Sequence, residues 1–148
     1  MAIETLKTLF NRDLNKLKIE IESYQNEAKI WSIEKNISNS AGNLCLHLIG
    51  NLNTYIGAEL GKTGYIRNRE LEFSLKDIPQ PELITQIETT IQTVHDALLL
   101  LSDADLKKEY PLLVFETKTT TDFFLTHLTT HLAYHLGQIN YHRRLLDN

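Results

Sequence analysis

Four stretches of the chain repeat apolar residues at steps of three or four, the period of a helix face and not of a strand. Ile3, Leu6, Phe10, Leu14, Leu17, Ile21, Tyr24, Ala28 and Trp31 form the first stripe. It predicts an amphipathic helix from residue 2 to about residue 28. Ser38-Asn39-Ser40 supplies N-cap chemistry for the second, which carries Ala41, Leu44, Cys45, Leu48, Leu52, Tyr55 and Ile56 and is broken by Gly57, Gly61 and Gly64. Residues 61–78 read as a crossing segment with a charged centre, Arg67-Asn68-Arg69-Glu70, tacked down by Leu71 and Phe73. Pro79 and Pro81 mark the third helix, whose stripe is Leu83, Ile84, Ile87, Ile91, Val94, Leu98 and Leu101. Residues 103–118, with Pro111 and Leu112-Leu113-Val114-Phe115, read as a loop with a packed turn or as a short strand. Thr119-x-x-Asp122 resembles a capping box and opens a fourth helix that runs to about Leu146. Four such helices joined by two longer connections predict an all-α fold, a four-helix bundle.

The chain of 148 residues has the length of one domain, 1–148, and can bury a core without staples. Fifteen Lys and Arg against nineteen Asp and Glu give a net charge of −4, which lacks the electrostatic footprint of a nucleic-acid binder. The lone Cys45 permits no internal disulfide and no cysteine-rich zinc finger. Its place, two residues before His47 and about 200° around the helix, predicts a buried core thiol. The aliphatic cluster Ala97-Leu98-Leu99-Leu100-Leu101 is too short to span a bilayer. The charged N-terminus lacks the apolar region of a signal peptide. The expectation is a cytoplasmic protein of a reducing compartment, without membrane or nucleic-acid partners.

Histidine is the residue that stands out. Four of six lie between positions 127 and 142, on the fourth helix. Relative to His127, the angle is about 40° for His131, 80° for His135, 20° for Gln138 and 60° for His142, so all five share one face beside the apolar stripe. Histidines at i and i+4 stack one turn apart and can converge on one ion. Spacing leaves two such pairs open, His127 with His131 and His131 with His135. His47, at the edge of the second stripe, is the favoured third ligand, whereas His95 on the third helix lies toward the polar side. The pattern is not that of a zincin, because Leu128 and Leu132 stand where the glutamate of His-Glu-x-x-His would be. The alternative is a polar seam of hydrogen-bonded histidines with no ion.

Three segments together resemble the DinB/YfiT-like superfamily of metalloenzymes, over nearly the whole chain. They are Gly42-Asn43-Leu44-Cys45-Leu46-His47-Leu48-Ile49-Gly50-Asn51-Leu52, His131-Leu-Ala-Tyr-His135-Leu-Gly137-Gln138-Ile139, and Gly64-Tyr65-Ile66-Arg67-Asn68-Arg69-Glu70-Leu71-Glu72-Phe73. The family pattern is one histidine from the second helix plus a His-x3-His pair just before Gly-Gln. It selects His47, His131 and His135 as metal ligands. The resemblance implies a bundle with a long crossover between helices two and three, often a homodimer. It also implies one divalent ion per chain, commonly zinc or nickel. Characterised relatives include thiol-dependent transferases and isomerases that use low-molecular-weight thiols.

Three neutral histidines leave an ion its full charge and an open position, the pattern of a catalytic zinc site. The function that the resemblance favours is a thiol-dependent S-transferase or isomerase acting on a small-molecule substrate. The alternatives are a metal-dependent hydrolase of a small ester or amide, and a non-catalytic metal-binding dimeric scaffold. No general base is evident; Glu59, Glu70, Glu72 and Tyr55 are candidates, each more readily structural. Arg67 and Arg69 read as ion-pair partners of Glu70, Glu72 or Asp77 in preference to an anion site. His127 and His142 read as partly solvated. Gln138 and Asn51 either orient a ligand histidine or bond to a neighbouring helix. Tyr134, Tyr141, Arg143 and Arg144 read as a dimer surface or a solvated rim.

Overall fold

The structure, a computed structural model, describes residues 2–148. It contains six α-helices and, among the described residues, no strand: α1 (Ala2–Glu22), α2 (Ala41–Leu52), α3 (Arg69–Ser74), α4 (Gln80–Leu99), α5 (Asp103–Leu106) and α6 (Thr121–Leu146). A 3₁₀ turn, Glu27–Trp31, follows α1, and a π-helical turn, Asn53–Ala58, extends α2. The long helix α1 packs on α4 and α6, and α2 packs on α6 and α4. Their facing stripes form one core around Phe10, Leu14, Leu17, Leu48, Leu52, Ile87, Phe124 and Leu132. No helix among the described residues is long and apolar enough to cross a membrane.

The stripe of α1 is buried as its period requires, but the helix stops at Glu22 and not near residue 28. The stop is made by residues distant in sequence. Gln80 Nε2 donates to the carbonyls of Ile21 and Tyr24 at 2.8 and 3.1 Å. The Asp147 carboxylate, at the end of α6, accepts from the amides of Gln25 and Asn26. Asn26 then caps the 3₁₀ turn through the Ala28 amide. Tyr24 and Trp31 still reach the core, whereas Ala28 is exposed.

All twelve residues of α2 are buried, so this helix forms the centre of the fold. Ser40 caps it by accepting from the Asn43 amide at 3.1 Å. The crossing segment departs from expectation in two respects. It folds into α3, and its anchor is not Leu71, which is 43% exposed, but Glu72, which is 6% exposed. Asn43 Nδ2 donates to the backbone carbonyls of Glu72 and Leu75, both at 2.9 Å, and so clamps α3 to α2.

The third helix ends at Leu99, short of Leu101, the last residue of its expected stripe. Residues 103–118 begin with α5, opened by a reciprocal Ser102–Asp105 capping box. Within them Glu109 forms an isolated antiparallel bridge to Thr120, just beyond the segment. Neither of the expected alternatives describes this segment in full. The cap of α6 is Thr120, accepting from the Phe123 amide, one residue later than the Thr119–Asp122 pattern indicates. The bridge commits the Thr119 carbonyl to the Tyr110 amide, and that displaces the cap.

Candidate metal centre

Between α2 and α6, His47, His131 and His135 each present one ring nitrogen, and these nitrogens lie within 4.8 Å of one another. The Nε2 atoms of His47 and His131 are 3.2 Å apart. Two nitrogens at about 2.05 Å from one tetrahedral ion stand about 3.3 Å apart, so this spacing suits a shared divalent cation. His131 and His135 follow one another by one turn of α6, with ring centroids 4.6 Å apart. His47 crosses from α2, its ring edge-on to both. Among the described residues no other group of three such donors converges.

The outer nitrogens decide which nitrogen is free to ligate. His47 Nδ1 donates to Glu72 Oε1 at 3.1 Å, so its Nε2 lone pair is left for the centre. His135 Nδ1 donates to Gln138 Oε1 at 2.7 Å, with the same consequence. This is the carboxylate- or amide-held imidazole that metal sites use to fix tautomer and ring orientation. His131 Nδ1 is buried with no hydrogen-bond partner, and so is Asn51 Oδ1, one helical turn after His47. Asn51 therefore does neither of the things expected of it through that oxygen. Burial, reinforced by His135 and His47, lowers the His131 imidazole to about 4. Burial also lowers His47, against the opposing effect of Glu72. Both rings are neutral at pH 7, which is the form that binds metal.

Glu72 is the residue that sequence reasoning undervalued. It stood there as a candidate base or ion partner, and the structure makes it the hinge of a buried network. Its Oε2 accepts from Arg67 Nε at 2.8 Å, and its Oε1 accepts from Arg67 Nη2 at 2.9 Å as well as from His47. Arg67 is thus an ion-pair partner, as expected, and Glu72 is the choice among its candidates. The carboxylate lies against the backbone of α2 because residue 50 is glycine. A Cβ there would stand 2.6 Å from Glu72 Cδ and closer still to Oε2. The Phe73 ring packs on His47 at 5.1 Å, and Arg69 lies over Phe73. The signal available beforehand was the shared segment that carries Arg67, Glu72 and Phe73 together; Gly50 and Asn43 offered none without a partner to receive.

The other histidines lie outside this centre. His127 is half-buried with its ring 4.9 Å from Phe115. His95 is exposed on α4. His142, expected to be partly solvated, is buried instead. Tyr24 Oη donates to its Nδ1 at 2.7 Å, and its Nε2 donates to the Ser32 carbonyl at 2.8 Å, so it clasps the turn after α1 to α6. Cys45 is fully buried, and burial pushes its thiol up. Tyr134 and Tyr141 are exposed, and Arg143 pairs with Glu20 at 2.7 Å. Glu70 is exposed, and Tyr55 accepts the Tyr110 hydroxyl through its carbonyl.

No curated protein matches this chain. A family described as protein of unknown function (DUF1572) matches residues 2–148, and the chain belongs to that family.

Proposed function

We propose that the chain is a single-domain, DinB/YfiT-like four-helix-bundle metalloprotein of the cytoplasm that works as a homodimer. In this reading His47, His131 and His135 hold one zinc or nickel ion per chain, and the protein transfers or isomerises a small molecule with the help of a low-molecular-weight thiol. The observation that carries the metal is the convergence of three imidazoles, two of them held from behind by Glu72 and Gln138. When bound, the ion supplies Lewis-acid chemistry, lowering the pKa of a water or thiol at its open position.

Glu72 favours the thiol over hydrolysis. It is the carboxylate that touches the donor set, and both its oxygens are committed to Arg67 and His47. A general base must be free to take a proton. A metal-bound thiol is deprotonated outright and makes no such demand. The role of Glu72 and Arg67 is to hold the His47 proton on Nδ1.

The test begins with metal content on untagged protein. About one ion per chain in the wild type and none in His131→Ala is expected; no ion in either after incubation with zinc and nickel overturns the reading. A small thiol should then shift the d–d bands of the cobalt-loaded protein. Turnover of activated esters without any thiol would transfer the assignment to a hydrolase.

A further inference from the structure

The centre does not stand alone on the α2–α6 seam. A cavity of about 570 Å³ reaches His135 and Gln138 and runs from them toward the C-terminal end of α6. Its walls are Leu44, one turn before His47 on α2, Tyr141, Leu145 and Leu146 on α6, and Ile37 from the irregular segment between the 3₁₀ turn and α2. Lys35, in that segment, takes φ 56°, a left-handed conformation uncommon for a side chain of its size. It contributes to the wall together with Glu34. These two are of opposite sign, so no net charge there selects an anion or a cation. The apolar side chains are unusually bare: Leu145 is 64% exposed, Tyr141 63% and Ile37 42%. A concave, mainly apolar space of this volume, ending on a few convergent polar groups, is the usual form of a small-molecule site.

The geometry points to this cavity as the subsite for the apolar body of the molecule whose polar head meets the ion. The substrate class is then a small molecule with an aliphatic or aromatic tail and a metal-seeking head such as a thiol. The inference rests on the proposed metal centre for the head, and on the cavity alone for the tail. His135 decides the occupant, because it belongs both to the centre and to the cavity wall. The cavity wall includes His135 and the Gln138 amide bonded to its Nδ1, and neither His47 nor His131. A tail that leaves the ion past His135 would meet the apolar wall of Leu44, Leu145 and Leu146. Each methylene buried along it removes apolar surface from water on both sides.

Straight-chain hydroxamates from acetohydroxamate to octanohydroxamate test this on cobalt-loaded protein, read by the d–d bands and by calorimetry. Affinity should rise about fourfold per added methylene while the tail fits, the value expected for full burial of a CH₂ group. Leu145→Asp and Ile37→Asp change exposed positions, and each should flatten that rise while the cobalt content is retained. A flat series with acetohydroxamate bound would overturn the subsite and leave the metal centre standing. The second readout is the methyl NMR spectrum of metal-free protein with octanohydroxamate. Shifts confined to Ile37, Leu44, Leu145 and Leu146 support the subsite even where no cobalt binds, in which case the metal reading alone fails. No shift at those methyls, with or without cobalt, overturns it. Shifts there that depend on protein concentration with no ligand present would overturn it too, by showing that a second copy covers the cavity.

Discussion

Gly50 offers a test of how the metal centre is held, because it touches none of the three histidines through a side chain. Gly50→Ala places a methyl group 2.6 Å from Glu72 Cδ. Ordinary contact begins at 3.4 Å, so Cδ must retreat by about 0.8 Å and the nearer Oε2 by more. The His47 Nδ1–Oε1 bond is already 3.1 Å, near the long end of its range, and a retreat of that size breaks it. Loss of such an outer partner weakens metal binding by about 10–100-fold, or about 1.4–2.7 kcal/mol. Fold stability should move less, since alanine in a helix interior gains up to about 1 kcal/mol over glycine, against the weakened Arg67–Glu72 contact. The assay is competition for zinc against a chromophoric chelator, with urea unfolding of the metal-free protein in parallel. Alanine at 50 is expected to act only through Glu72. In a Glu72→Ala background the same change should therefore leave zinc affinity where Glu72→Ala alone puts it. Unaltered zinc affinity in folded Gly50→Ala, or a full further loss in the double variant, would refute the role given to Glu72.

Three further outcomes are expected. Gln138→Leu frees His135 Nδ1 and should weaken zinc by about tenfold, less than the Glu72 variants, because Gln138 is exposed and water can replace it; equal losses in competition titrations would contradict this. His131 sits below its ordinary 6.5, at about 4, so between those values the unfolded chain binds more protons than the folded one. Stability of the metal-free protein is therefore fully present above pH 6.5 and should fall as the pH drops toward 4. Urea midpoints measure this, and His131→Phe should reduce the slope. His142→Phe leaves the Tyr24 hydroxyl and the Ser32 carbonyl unpaired, at a cost of about 1–3 kcal/mol for each group that stays dry, with zinc content unchanged.

Much of this molecule is written in local pattern. The period of Ile3, Leu6, Phe10, Leu14, Leu17 and Ile21 makes a helix of α1 and fixes its buried face, because side chains three and four apart share one side of any α-helix. The i, i+4 spacing of His131 and His135 places both rings on one face for the same reason, and Pro81 in the first turn of α4 is equally local. Spacing could not choose between the two histidine pairs, since His127 and His131 are related identically. The fold chooses, by bringing His47 of α2 against His131 and His135 while Phe115 takes the flank of His127. Where α1 ends was also not local, because Gln80 donates to the Ile21 carbonyl of its last turn and Asp147 accepts from the Gln25 and Asn26 amides just beyond it. His142 shares the histidine face, yet it is withdrawn from solvent by Tyr24 and Ser32, residues more than a hundred positions away. The same holds for Glu72. An exposed carboxylate and a buried one are the same letter, and only the approach of α3 to the bare backbone at Gly50 turns it into the group that holds His47. Helix faces follow from the chain's own periodicity, whereas the partner of each polar group depends on which distant segment packs against it.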